Sequence, residues 1–247
     1  MLLLRPDRVT LRRHRPGLRG RGFEEHPLPI DPPSSDFEEV CERALPALRN
    51  ALASSAVGGS LRVLVGDRWT RVQVIEGNFY RLNDRQIDLM AEVALQEVLD
   101  HTPARSAYRW QIQRGGGHLF ASGMMPGVAE RAGRLGADLG LGRVSVSTHF
   151  AVAWNDSANP IVGRDTGVFA VVAGQYASVA WVSNGILTGI TQAGLPSGAD
   201  ALDRRVDRDM AAWGVDVDAG LKFVLAGSET PASARWQRYD LFKRTVA

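Results

Sequence analysis

The chain has 247 residues, 45% of them apolar and 23% charged, with a formal net charge of +2. That balance suits one large or two modest globular domains with a real core, and excludes a disordered or strongly polyelectrolyte chain. No stretch reaches the roughly 18 apolar residues of a spanning helix, and Leu2-Leu3-Leu4 is too short for a signal-peptide core, so a soluble chain is expected.

Cys41 is the only cysteine, which excludes an internal disulfide and a cysteine-rich metal cluster. On the apolar side of a predicted helix it reads as a buried structural thiol, in keeping with a reducing cytosol. The five histidines are scattered without an i, i+4 pair, so a structural zinc site is excluded.

Taken in chain order, residues 1–22 carry seven arginines and alternate Val9 and Leu11 with polar neighbours. They read either as a basic arm for nucleic acid or as a short strand pair turning at Pro16-Gly17; the absence of interleaved aromatics favours the strands. Residues 23–34, with Pro27, Pro29, Pro32 and Pro33, predict an extended loop. Ser35 with Glu38 forms a capping-box pattern that opens a helix, with Phe37, Val40, Cys41, Ala44, Leu48 and Leu52 on one face and Pro46 kinking it. Two strands follow around Gly66-Asp67, then a helix from Asn83 with a stripe of Ile87, Met90, Ala91, Ala94, Leu95 and Val98.

Tyr108–Gln113 and His118–Ala121 predict a hairpin around Arg114-Gly115-Gly116-Gly117. The triple glycine has no following Gly-Lys-Ser/Thr and joins two strands, so a turn is the better account than a phosphate loop. Pro126 suits the first turn of a third helix carrying Val128, Ala132, Leu135 and Leu139, and Val144–Val146 returns as a strand. Residues 155–164 predict a linker dividing a first half, 1–154, from a second, 165–247.

The second half carries the clearest pattern. Val168–Gly174 and Tyr176–Val182 alternate as a hairpin, turn at Ser183-Asn184-Gly185 and continue into Ile186–Ile190. A helix from about Ala199 to Trp213 precedes the strand Leu221–Leu225, which runs into Ala226-Gly227-Ser228. Asp200, Asp203, Asp207 and Asp209 on that helix are interleaved with Arg204, Arg205 and Arg208, which predicts a solvated, ion-paired face instead of a catalytic carboxylate set. The Gly-x-Ser-x-Gly elbow of serine hydrolases is absent, since Ala226-Gly227-Ser228-Glu229-Thr230 lacks the second glycine.

Strand, turn, strand, turn, strand, helix, strand, with small-residue turns at Gly174 and Gly227-Ser228, resembles the actin-like (ribonuclease H-like) fold. The resemblance implies an α/β protein of two related halves with mixed sheets flanked by helices. It also implies an Asp-x-Gly turn in each half, where glycine lets backbone N–H groups approach phosphates and the acid organises a metal or water. Here the first turn is Leu4-Arg5-Pro6-Asp7-Arg8, without glycine, and Val172 stands two residues before Gly174. Asp165-Thr166-Gly167 precedes its strand, where a turn is the simpler explanation.

The order and length further resemble actin-like cytoplasmic proteins of bacterial envelope machines, the type II secretion L protein's cytoplasmic domain and the type IV pilus M protein. That resemblance implies a non-catalytic cytoplasmic scaffold, peripheral to the inner membrane. Its implied partners are an inner-membrane platform protein or its cytoplasmic tail and a secretion or pilus-extension ATPase, with self-association left open. No cofactor is expected; any residual ATP affinity would run through Gly174, Gly227 and Ser228. Trp69, Tyr80 and Trp236, outside the predicted core stripes, are the candidate partner anchors. Two other readings stay open: a phosphotransferase of the same superfold, and a nucleic-acid-associated protein using the arginine-rich start.

Overall fold

A computed structural model describes residues 1–15, 22–53, 59–158, 166–215, 221–226 and 233–239. In chain order its first elements are β1 (Leu2–Leu4), β2 (Arg8–Arg15), β3 (Gly22–Pro29), α1 (Phe37–Leu52), β4 (Ser60–Val65), β5 (Thr70–Glu76) and α2 (Asp84–Leu99). There follow β6 (Tyr108–Ile112), β7 (His118–Met124), α3 (Val128–Asp138), β8 (Arg143–Thr148) and α4 (His149–Ala153). The last are β9 (Gly167–Ala173), β10 (Tyr176–Ser183), β11 (Ile186–Gly194), α5 (Ala201–Ala212), β12 (Lys222–Ala226) and β13 (Trp236–Tyr239).

Two five-stranded sheets share one plan. Their orders are β3-β2-β1-β4-β8 and β11-β10-β9-β12-β13, in each case three antiparallel strands laid third, second, first, then two more added in parallel beside the first. A separate three-stranded sheet has the order β5-β7-β6. One sheet of the shared plan falls on each side of residues 155–164.

The compact units are nevertheless interleaved: Met1–Thr70 joins Met124–His149, and Arg71–Gly123 joins Phe150–Ala247. The segment 71–123 goes with the second unit because Val72 and Phe120 share a core with Phe150, Phe169, Val171 and Val224. A cut at 155–164 therefore does not separate these units. Residues 154–158 form a π-turn, and 159–165 lie outside the described residues.

In the first unit α1 starts one residue later than the pattern suggested. Asp36 is the cap, accepting the Glu38 N–H at 2.9 Å, while the Ser34 hydroxyl turns to Glu39. Its buried face is Phe37, Val40, Cys41, Ala44 and Leu48, packed with β1, β4 and the Ala132 and Leu135 stripe of α3. Burial pushes the Cys41 thiol up to about 12, which fits an inert structural cysteine. Residues 22–29, expected as loop, pair with β2 instead; Pro27 and Pro29 sit at alternate positions of an edge strand, where a missing N–H costs no ladder bond.

In the second unit β9 and β10 are buried on both faces, which is why they read as near-continuous apolar runs. The β10–β11 turn uses Asn184 and Gly185 at φ 53° and 77°, the left-handed pair of a tight hairpin. Asn83 caps α2 in a reciprocal capping box with Gln86. Strand β13 carries no sequence alternation strong enough to announce it; it pairs in parallel with β12 from Phe223↔Trp236 onward.

Candidate functional site

In an open α/β sheet, ligand chemistry gathers outside the carboxyl ends of the parallel strands. In the first unit these are the ends of β1, β4 and β8. Arg5–Arg8 turns back on itself: the Arg5 N–H donates to the Arg8 carbonyl at 3.0 Å and the Arg8 N–H to the Arg5 carbonyl at 3.4 Å. Pro6 has no N–H, and the Pro6 and Asp7 carbonyls accept from Ser34 and Ile30, each at 2.9 Å. At most the Asp7 N–H remains, where a phosphate cradle needs several converging donors.

The Arg5 side chain folds inward, its Nε 3.8 Å from Asp7 Oδ1. Asp67 just after β4, Thr70 at the start of β5, and Thr148 and His149 at the end of β8 are buried as well. Gly66 lets these ends converge, since a Cβ there would sit 2.7 Å from the Leu4 carbonyl oxygen. Burial first, and then the Arg5 charge, lower the His149 pKa to about 3. A neutral imidazole this hard to protonate cannot serve as a base near neutral pH. Sequence reading passed over this cluster because its members are far apart in the chain; the polar pair Thr148-His149 where the alternating strand β8 gives way to the apolar run Phe150–Ala153 is the signal that could have found it.

In the second unit Gly174 occupies the β9–β10 turn at φ 61°, closed by the Ala173↔Tyr176 pair, and is exposed. The Gln175 carbonyl accepts the Leu195 N–H at 2.8 Å. Val172 is buried in the core with Val206 and Leu225. Gly167 is explained by packing: a Cβ would come within 2.1 Å of the Lys222 carbonyl oxygen on β12. Gly227 and Ser228, expected beside Gly174, lie outside the described residues.

The triple glycine is a hairpin turn. Gly115 and Gly116 have φ of 89° and 65°, and the Gly116 and Gly117 carbonyls accept from Phe79 and Gly77, each at 3.0 Å. The acidic helix α5 is ion-paired, but less solvated than expected. Asp209 meets Arg205 at 2.6 Å with both side chains buried, and also accepts the Thr191 hydroxyl. Asp203 is tied to β13 through Trp236 and Arg235.

Of the three aromatic candidates, Tyr80 alone is exposed, at 74%. Trp69 is buried against Phe37 with its indole N–H on the Ser35 carbonyl, and Trp236 is buried against Phe223. Both are structural fillers of their units. Two arginines of β2 are likewise engaged: Arg13 donates to the Ala51 carbonyl at 2.8 Å and Arg12 lies 3.7 Å from Glu25. Among the described residues no cluster of three or more His, Cys, Asp or Glu converges on a metal position, and no helix is long and apolar enough to cross a membrane.

No family profile matches the chain, and no curated protein matches it. Solved structures do. A Bacteroides thetaiotaomicron protein with an actin-like ATPase fold and unknown function superposes with a TM-score of 0.58 at 10% identity, over 92% of this chain and 80% of that one. The fold is actin-like. The cytoplasmic domain of EpsL, an inner-membrane component of the Vibrio cholerae type II secretion system, gives a TM-score of 0.55 at 13% identity over 97% and 88% of the two chains. A structure of the PilM–PilN type IV pilus biogenesis complex gives 0.55 at 9% identity, over 87% of this chain and 65% of that one. An actin-like fold places its two phosphate turns after the opening strand of each sheet, here Arg5–Arg8 and Gly174-Gln175. Neither carries Asp-x-Gly.

Proposed function

We propose that this actin-like protein is a non-catalytic scaffold of a type II secretion or type IV pilus assembly platform. In this reading it sits on the cytoplasmic side, peripheral to the inner membrane. It docks to an inner-membrane partner or that partner's cytoplasmic tail, and to a secretion or extension ATPase. The observation that carries the reading is the turn Arg5–Arg8, where the Arg5 and Arg8 backbone N–H groups are spent on closing the turn and Pro6 has none, so that at most the Asp7 N–H is left for a phosphate. The second turn has the buried Val172 where an acid would organise a metal.

A phosphotransferase of the same superfold would need both of those acids to offset the charge of a triphosphate. The neighbours support the envelope assignment through what they are: one is an inner-membrane component of a secretion system, the other belongs to a pilus biogenesis complex. The nucleic-acid reading is weakened by Arg12 and Arg13, which are used inside the fold.

Two measurements test this. ATP turnover should not rise above a buffer blank; turnover abolished by Gly174→Val would overturn the non-catalytic part. Crosslinking in the host should recover an inner-membrane protein or a secretion-type ATPase. Recovery of nucleic acid alone would overturn the scaffold part.

A further inference from the structure

The segment 71–123 carries an edge that its own fold leaves incomplete. Strand β5 is the outer strand of the sheet β5-β7-β6. The Gly77 N–H donates to the Gly117 carbonyl at 3.0 Å, so odd-numbered positions at this end of β5 face toward the β7 side. The Val72 N–H points the other way, where the Gln192 side-chain oxygen takes it at 2.8 Å. Val74 and Glu76 share the parity of Val72, and their N–H and C=O groups open to the same free side. Gln192 thus fills the first rung of an absent strand, and the next two rungs are open among the described residues.

Helix α2 reaches β6 through Asp88 and shares a groove with β5, and it is apolar over more of its surface than its own core covers. Ile87, Ala91, Leu95 and Leu99 are buried, yet Leu89 and Val93, one turn apart, are 60% and 49% exposed. With Met90 and Ala94 they face Val74 and Ile75 across a groove of about 610 Å³. Two of the three large exposed hydrophobics of the described surface therefore stand beside two open backbone rungs. An extended chain satisfies both at once, its backbone on β5 and its alternate side chains on α2.

The rim is acidic. Glu76 and Glu97 line the groove, and the hollow beyond it continues past Glu97 to Asp100 and His101. No arginine or lysine lines either hollow, in a chain with 29 of them. A second copy fits poorly: pairing β5 with itself would set this rim against itself, and the arginine-bearing β2 is hydrogen-bonded to β3 along its length and to β1 over Val9–Leu11. We propose that β5 and α2 form the docking site for an extended, basic segment of another protein. The segment adds as a strand beside Val74 and Glu76, with alternate apolar side chains on Leu89 and Val93 and its Lys or Arg residues against Glu76 and Glu97. This deepens the scaffold reading by giving one docking partner a chemistry.

The test uses the full chain and three short synthetic peptides followed by fluorescence anisotropy: one alternating Lys and Val, its counterpart alternating Glu and Val, and the Lys–Val peptide interrupted by a central proline. The Lys–Val peptide should bind at least about tenfold tighter than the other two. Glu76→Lys together with Glu97→Lys should reverse the preference between basic and acidic peptides. Val93→Glu should weaken the basic peptide by about tenfold with the thermal unfolding of the protein unchanged. No binding, equal binding of the proline-interrupted peptide, or indifference to the charge reversal would each overturn the proposal. So would a concentration-dependent dimer lost in Val93→Glu, which would make a second copy the occupant. A host crosslink to a membrane protein that survives Val93→Glu would remove this site and leave the scaffold reading standing, whereas peptide binding without any such crosslink would do the reverse.

Discussion

The indole N–H of Trp236 donates to Asp203 Oδ1 at 2.7 Å, and Arg235 Nε reaches the same oxygen at 2.7 Å. One carboxylate of α5 thereby fixes the first residue of β13, the strand with the weakest sequence signal. Burial alone would raise the Asp203 pKa, but hydrogen bonds from Trp236 and Ser233 and the Arg235 charge outweigh it and hold the carboxyl below its usual value.

Asp203→Ala should therefore cost about 2 kcal/mol at neutral pH, since it strands a buried indole donor and a guanidinium. A depressed carboxylate contributes stability that is present above its unfolded pKa and lost as pH falls through the folded one. The deficit of the variant should shrink below about pH 4. Urea denaturation of both proteins at several pH values checks this; a deficit that stays constant into acid would contradict it.

His149 gives an acid sensitivity at higher pH. Its folded pKa is about 3, well below the ordinary imidazole value, so between those two values the unfolded chain binds a proton that the folded chain refuses. Stability should fall as pH drops through that window, by up to about 1.4 kcal/mol per pH unit. His149→Gln should flatten the profile between about pH 6 and pH 4 and leave the Asp203 limb below it in place. Denaturation midpoints across pH read the two limbs separately.

The strands and helices that were legible are those whose burial is one-sided or complete. The α2 stripe and the β9–β10 runs leave a periodicity or an apolar run in the sequence because packing repeats along them. Strand β3 was hidden by prolines that only an edge position tolerates, and β13 by being held through Asp203 instead of its own alternation. The interleaving of the two units is hidden for a different reason. Residues 71–123 are continuous in sequence with the first sheet but bury Val72 and Phe120 in the second unit's core, a long-range fact no local pattern encodes. The buried polar cluster at the ends of β1, β4 and β8 is equally non-local, whereas the triple-glycine turn was legible because its chemistry is set within four residues.

Two glycines of α3 should respond with opposite signs. A Cβ on Gly133 meets nothing within 4 Å, so Gly133→Ala should stabilise by about 0.5–1 kcal/mol through helix propensity. A Cβ on Gly136 would fall 1.8 Å from a Val144 methyl carbon, so Gly136→Ala must displace the Val144 side chain of β8 and should destabilise by about 1–3 kcal/mol. Thermal unfolding of the pair reads the α3–β8 contact directly, and equal shifts of one sign would contradict it.

Cys41 should resist thiol reagents in the folded protein. Burial puts its pKa at about 12, so almost no thiolate exists near neutral pH, and the side chain is fully enclosed on α1. Labelling should proceed at the rate of unfolding and accelerate with denaturant. Fast stoichiometric labelling in native buffer would mean that α1 opens without the rest of its unit.

Restoring the acid that an actin-like nucleotide site uses should damage this protein instead of activating it. Val172 is 3% exposed, and its neighbours in the core are Leu202, Val206 and Leu225. Val172→Asp would place a carboxyl among aliphatic side chains with no donor provided for it, which costs several kcal/mol or forces the acid to stay protonated. The expected outcome is a loss of about 3 kcal/mol or more that eases as pH falls below the raised carboxyl pKa, with no gain in ATP binding by calorimetry. Tight ATP binding by Val172→Asp, with stability near that of the parent, would mean that the β9–β10 turn is a phosphate site lacking only its acid, and the scaffold reading would have to yield to a decayed phosphotransferase.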